Sequence, residues 1–268
     1  MTDLEIELDI NKSLEENAAH FFEESKKAKK KLKGLLPAIG ETEKKTANIE
    51  KGQSKKEDAL PLKKRNRAWF EAFHWFFSSD GLLVIAGRSA KENEQLVKRH
   101  LEEGDLFLHA DIQGGAATIV KPEGKKIPEI TLLEAANFAG VFSKAWQSGI
   151  PSVEVYAVSK EQVSKKAPTG EALSTGGFMI YGKRQWFKAE MKLAIGLKRE
   201  GDYFIVISGP VNAVKKQAVA VVEIKQGNLK ASEAAKKILK KFSEQLKQEP
   251  KISLDEIIRM LPSSDIGF

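Results

Sequence analysis

The stretch from Trp69 to Val120, WFEAFHWFFSSDGLLVIAGRSAKENEQLVKRHLEEGDLFLHADIQGGAATIV, constrains the fold more than any other part of this chain. It opens on a run of aromatic residues too dense to leave in water, then turns at Ser78-Ser79-Asp80-Gly81. Leu82–Ala86 reads as a strand, and Ser89 with Glu92 has the capping-box spacing that opens a helix over Ala90–Leu101. Asp105–Ala110 and Ala117–Lys121 read as two strands joined around Gly114-Gly115. Arg88, Asn93, Glu94, His109 and Asp111 sit among these elements, so the block either performs chemistry or holds something.

The pattern continues on both sides. Thr131 and Glu134 have capping-box spacing for a long helix to about Gln147, and Val153–Val158 reads as a strand. After a polar loop come four β-rich segments, Phe178–Tyr181, Lys188–Ile195, Tyr203–Ser208 and Gln217–Glu223. A basic helix over Ser232–Lys247 and a short one capped by Ser253 and Glu256 end the chain. Upstream, residues 1–12 alternate like a strand, Ser13 and Glu16 cap a helix to about Gly34, and Glu41 to about Lys56 suits a second helical arm. The expected fold is α+β: a mixed sheet with packed helices, preceded by a short helical, coiled-coil-like extension. The expected divisions are 1–65, 66–187 and 188–268, the last a β-rich extension with its basic helix.

Composition narrows the function classes. The chain has 268 residues, no Cys and a formal charge of +7. Thiol catalysis, disulfides and cysteine-built zinc sites are therefore excluded. No apolar run approaches the roughly 20 residues of a membrane helix, and the acidic, polar N-terminus is unlike a signal peptide, so a cytoplasmic location without membrane contact is expected. The charge is clustered: Lys26 to Arg65 holds 14 Lys or Arg against 5 Asp or Glu, and Lys225 to Lys251 holds 8 against 3. Such clusters favour a polyanionic partner.

The motifs of common catalytic sites are missing. There is no nucleophile elbow, no phosphate-binding loop and no dinucleotide fingerprint, so neither a cofactor nor a complete catalytic set is expected. Of the histidines only His109, two residues before Asp111, is well placed; the pair could join a metal or acid–base site, but structural use of both is the commoner outcome and no metal is expected. Gly182-Lys183-Arg184-Gln185-Trp186-Phe187 sets two cations beside two aromatics at a strand end, a combination suited to phosphate contact and base stacking.

These residues carry a resemblance. The block from Trp69, with Gly87-Arg88, Asn93-Glu94, Gly104-Asp105 and His109-Ala110-Asp111, is similar to the NFACT-R (DUF814) domain of the NFACT, or fibronectin-binding-protein-A-like, family. Ser143-Lys144-Ala145-Trp146, Thr169-Gly170-Glu171 and Gly177-Phe178-Met179-Ile180-Tyr181-Gly182-Lys183-Arg184 continue the likeness. The resemblance implies an RNA-binding module in ribosome-associated quality control, with ribosomal RNA or tRNA and the large ribosomal subunit as partners. The family's N-terminal domain and helix-hairpin-helix segment have no counterpart in this sequence, so its tRNA-directed elongation is not expected here, and a separate subunit of the N-terminal type or a homo-oligomer becomes a possible partner. Ser89, Gln113 and Gly115 replace the family's usual Asp, His and Ala, which favours binding over catalysis.

Three readings follow. The leading one is RNA binding through Arg88, Lys98, Arg99, Lys183, Arg184 and Trp186, with Asp80, Asn93, Glu94, His109 and Asp111 as a polar core of the family motif. The second is a hydrolase or nuclease in which Asp80, Arg88, Glu94, His109 and Asp111 converge. The third is a protein-interaction scaffold of a ribosome-bound complex, using the helical arms and the Lys-rich C-terminal helix.

Overall fold

The computed structural model describes residues 9, 13–29, 32, 67–165, 173–262 and 265–268. The chain divides into two compact units, 1–66 and 67–268. In the first, helix α1 covers 14–29. Ser13 and Glu16 close the anticipated capping box: the Glu16 carboxylate accepts from Ser13 N–H at 2.8 Å and Ser13 Oγ accepts from Glu16 N–H at 3.1 Å. Asn17 fastens the preceding turn, accepting from Asp9 N–H at 2.9 Å and donating to its carbonyl at 3.0 Å. The strand-like segment expected over 1–12 and the second arm fall, apart from Asp9, outside the described residues.

The second unit is built on two sheets. One has six strands in the order β1 (His74–Phe77), β2 (Leu83–Ala86), β4 (Thr118–Lys121), β3 (Leu106–Ala110), β5 (Ser152–Ser159), β8 (Gln185–Glu190). The other runs β10 (Tyr203–Gly209), β9 (Lys192–Glu200), β11 (Ala220–Leu229), β12 (Ile266–Gly267), and β6 (Val163–Ser164) pairs with β7 (Met179–Ile180). The α+β class is as expected, but every described ladder is antiparallel, where a mixed sheet was anticipated. The cause is strand insertion. β2 and β3, joined by a helix, run the same way, but β4 returns between them and pairs antiparallel with both.

Helices cover both faces of the six-stranded sheet. Along β2 the run Leu83-Val84-Ile85-Ala86 is buried throughout, as a strand with two covered faces must be. Val84 and Ala86 join the core under α3 (Glu129–Val141), whereas Leu83 and Ile85 join that of α2 (Ala90–His100), through Leu96. The aromatic run packs only in part as anticipated: Phe73, Trp75 and Phe76 are buried, but Trp69, at its start, is half exposed. Gly140 lets α3 lie directly on β8, since a Cβ there would come within 2.6 Å of the Ala189 Cβ.

The helix expected from Thr131 to Gln147 differs from the observed one. α3 starts after Pro128 and stops at Val141, and a separate turn, α4 (Lys144–Gln147), starts from Ser143. Thr131 and Glu134 do not cap it; they are buried and reach the Ser78–Gly81 turn. Thr131 Oγ1 donates within hydrogen-bonding distance of Ser78 Oγ (2.8 Å) and Asp80 Oδ2 (2.9 Å), while the Glu134 carboxylate accepts from the backbone N–H of Ser79 at 2.8 Å and from its hydroxyl. The segment read as one strand over Lys188–Ile195 is split at Met191 into β8 and β9, which belong to different sheets. Between β10 and β11 lies α5 (Val211–Gln217), and α6 (Ala231–Leu246) and α7 (Leu254–Ile258) follow. Among the described residues no helix is long and apolar enough to cross a membrane.

Candidate nucleic-acid interface

β3, β5 and β8 are successive neighbours, and their register sets His109 opposite Tyr156 and Tyr156 opposite Trp186. Residues opposite one another across a ladder share a face of the sheet. The three rings therefore form a row, with centroids 5.9 Å apart between His109 and Tyr156 and 5.6 Å apart between Tyr156 and Trp186. Tyr156 is almost fully covered, but Trp186, on the last strand of the sheet, is 47% exposed. A row of aromatics ending in an open indole on a sheet edge is a surface on which a base can stack.

A cation lies across this row. The Arg184 guanidinium sits 4.7 Å from the Tyr156 ring centroid and 5.8 Å from that of Trp186, and such contacts are worth about 0.5–1 kcal/mol at exposed sites. Its loop is fixed from below: Gln162 Nε2 donates to the carbonyls of Tyr181 at 2.7 Å and Lys183 at 2.9 Å. Gly182 makes that turn possible, with φ at +76°, and a Cβ there would come within 2.9 Å of Gln162 Nε2. Lys183 points into solvent beside it.

The other end of the row opens on Gly114 and Gly115. A Cβ on Gly115 would lie 3.0 Å from His109 Cε1, so glycine at this position gives the imidazole its room. From here three hollows adjoin. The largest, about 440 Å³, is lined by Arg88, His109, Gly115, Lys144, Tyr156 and Gly176, among others. A second of about 370 Å³ shares His109, Tyr156 and Phe178 with it and continues to Arg184. A third of about 340 Å³ shares Arg88, Phe142 and Lys144 and ends at His74. Together they make one groove with cations at both ends and aromatic rings between.

Burial sets the protonation of the groove's imidazoles. It holds His109 below the usual histidine value, with backbone hydrogen bonds at Ala110 and Gly115 and the Asp111 charge opposing it. His74 is pushed down further, by burial first and by the Arg88 charge second. His100, outside the groove, is lowered by burial and by Lys121. All three folded-state pKa values lie below that of an unfolded histidine, 6.5. The unfolded chain thus binds more protons, and stability that is complete above about pH 6.5 is lost as the pH falls through and below that value. Urea midpoints between pH 7.5 and 5 should decline accordingly, and His74→Phe should flatten the decline; a midpoint constant across this window would contradict the assignment.

The candidate cations are only partly brought together. Arg88, just before the α2 N-cap Ser89, lines the groove and Arg184 lines its far end, while Lys183 is exposed next to Arg184 and lines none of the hollows. Lys98 and Arg99 are exposed in the last turn of α2, about 15 Å along the axis from Arg88 by helical rise. Sequence reasoning missed Tyr156 and Lys144. Tyr156 looks like one more strand residue until the register is known, and Lys144 was read as the interior of a continuous helix.

The five polar residues of the motif do not converge. Asp80 is exposed at the 78–81 turn and bonds Thr131, and Glu94 pairs with Lys165 at 3.1 Å, which lowers its pKa. Asp111 is exposed beyond the end of β3. Asn93 is buried, joining α2 to the groove floor by accepting from Ala117 N–H at 3.0 Å and donating to the Gly115 carbonyl at 3.2 Å. The anticipated polar core is thus dispersed: Asp80, Asn93 and Glu94 are taken by separate partners, and Asp111 faces solvent. The hydrolase reading needed convergence, and the described residues do not supply it; nor do they contain any group of three or more His, Asp or Glu suited to a metal ion.

The sequence pattern of the NFACT protein RNA binding domain matches residues 72–182. The chain carries an NFACT-R domain. Matched residues include the aromatics from Phe73 to Phe77, Arg88, the row residues His109 and Tyr156, and Gly182, while Trp69 and Phe70 lie just before the match and Arg184 and Trp186 just beyond it. The chain is 39% identical over 196 residues to the ribosome quality control complex subunit NEMF homolog of Drosophila melanogaster, covering 72% of this chain and 20% of that protein. It is 34% identical over 201 residues to the archaeal Rqc2 homolog aRqcH of Methanocaldococcus jannaschii, covering 74% of this chain and 29% of that one. The chain therefore spans less than a third of the length of these relatives. Among solved structures it is similar to the C-terminal part of the fibronectin/fibrinogen-binding protein of Streptococcus suis, at 18% identity and a TM-score of 0.40, over 78% of this chain and 81% of that one.

Proposed function

We propose that this NFACT-R chain is an RNA-binding module that acts with the large ribosomal subunit, on ribosomal RNA or tRNA, in quality control of stalled nascent chains. The observation that carries the reading is the His109–Tyr156–Trp186 row with Arg184 laid across it. The names of its relatives, as subunits and homologues of the ribosome quality control complex, point the same way. In this reading Arg88, Lys183 and Arg184 contact phosphates along the groove, Trp186 stacks on a base, and Lys98 and Arg99 meet a more distant part of the same RNA. Asp80, Asn93, Glu94, His109 and Asp111 shape the platform and carry out no reaction. A cytoplasmic setting follows from the ribosomal partner, and a separate subunit of the NFACT-N type or a second copy of the chain completes the assembly. Segments 1–65, 66–187 and 188–268 serve as basic arm, groove-bearing domain and C-terminal support. Exposed Lys236, Lys237, Lys240 and Lys241 on α6 offer that last segment its own contact with polyanion.

The test is filter binding to tRNA and to large-subunit RNA across a salt series. If about four of the named cations meet phosphates, log K should fall with log salt at a slope of about −3. Binding that is undetectable at low salt, or indifferent to salt, would overturn the proposal.

A further inference from the structure

The hollow at the His74 end of the groove contains chemistry that stacking on the open row does not use. Arg88 directs its Nη2 to the Phe73 carbonyl at 2.9 Å, but its Nε–H is shielded from solvent and has no hydrogen-bond partner. Opposite, the ring of His74 is stacked on Phe142 with centroids 3.8 Å apart, and its Nδ1 is likewise shielded and unpartnered. Lys144, exposed at the start of α4, completes the lining. The surroundings are positive: the charges of Arg259 and Arg67 act with burial to lower the pKa of Arg88. Glu92 opposes them, but its carboxylate already accepts from the Arg88 backbone N–H at 3.0 Å. A buried guanidinium edge that lacks an acceptor, in a cup short of negative charge, is a site that an anion would complete.

We propose that the hollow between His74, Arg88 and Lys144 is an oxyanion pocket that clamps one backbone phosphate of single-stranded RNA. Arg88 Nε–H and Lys144 Nζ donate to the phosphate oxygens. His74, kept neutral by burial and by Arg88, offers one ring nitrogen without adding charge. The pocket opens into the groove through Arg88, Gly114 and Lys144, so a clamped phosphate sets the register of the strand that then passes His109 and Tyr156 toward Trp186. A duplex is excluded from this arrangement, because its bases are paired and cannot leave the stack to reach the row while a phosphate enters the cup. The inference rests on the RNA-binding reading and adds to it the strand type and a fixed point.

The test uses the full chain with nitrogen-15 label and hexauridylate as probe. Addition of hexauridylate should move the Arg88 Nε–H resonance, saturating together with quenching of Trp186 fluorescence. Lys144→Met, at an exposed position, should weaken hexauridylate binding about five- to tenfold with an unchanged melting temperature. It is the variant of choice because Arg88→Met also removes the bond to Phe73. A Trp186 response with no movement at Arg88 overturns the pocket and leaves RNA binding standing. Silence at both residues overturns both readings. A hexaglutamate peptide that moves Arg88 as strongly as hexauridylate overturns the assignment to phosphate.

Discussion

Truncating Phe138 to alanine is expected to lower stability by about 3–5 kcal/mol, the range for a fully buried phenylalanine. Phe138 has no solvent exposure and lies at the middle of a stack of rings. Its centroid is 4.7 Å from those of Phe76 and Phe142, and Phe142 in turn covers His74 in the wall of the groove. The cavity left by Phe138→Ala would loosen β1 against α3 and let the His74–Phe142 pair shift. The variant should show a large fall in the urea midpoint and, where still folded, weaker RNA binding. A loss under about 1 kcal/mol would mean that the neighbouring rings collapse into the space, and that the stack does not support the groove.

Asn93→Ala is expected to cost about 2–6 kcal/mol, although it removes only a small side chain. Its amide serves Ala117 N–H and the Gly115 carbonyl, both on the buried floor segment between Gly115 and Ala117. Each buried backbone group left without a partner costs about 1–3 kcal/mol. Gly87 leaves nothing to take over, since it packs directly against Asn93. Asn93→Asp should also be harmful, because it keeps the acceptor for Ala117 but replaces the donor to Gly115 with a charge. Chemical denaturation of the two variants checks both statements, and near-wild-type stability of Asn93→Ala would show that water satisfies the floor.

Much of the framework was legible in the sequence because local signals and burial agreed there. Ser89 caps α2 as its spacing says, Ser253 caps α7, and the alternation of β3 and β4 around Gly114-Gly115 gives the expected ladder. Thr131 and Glu134 misled because the same spacing that makes a capping box also puts two side chains on one helix face, and tertiary contact with the 78–81 turn claimed them. Lys188–Ile195 read as one strand because an apolar run does not reveal that the chain passes from one sheet to another at Met191. For the interface, Arg184 and Trp186 announced themselves as a basic-aromatic cluster. Their neighbours were not legible as such: Tyr156 carried no signal and His109 stood out only as a polar residue of the motif, because both come from strands distant in sequence and only register joins them. The polar residues near Arg88 attracted attention as a set, yet Asp80, Asn93 and Glu94 are held by separate partners and Asp111 faces solvent.

In the proposed function, RNA binds on the Tyr156–Trp186–Arg184 layer. The most direct measurement is the affinity for a short single-stranded RNA of the wild-type chain and of Arg184→Ala/Trp186→Ala. Trp186 is half open and Arg184 only partly covered, so the double variant should melt as the wild type does. Loss of one stacked base, worth about 1–3 kcal/mol, together with one phosphate contact predicts affinity reduced by roughly tenfold to several hundredfold. Unchanged affinity in a variant of unchanged stability would contradict the account.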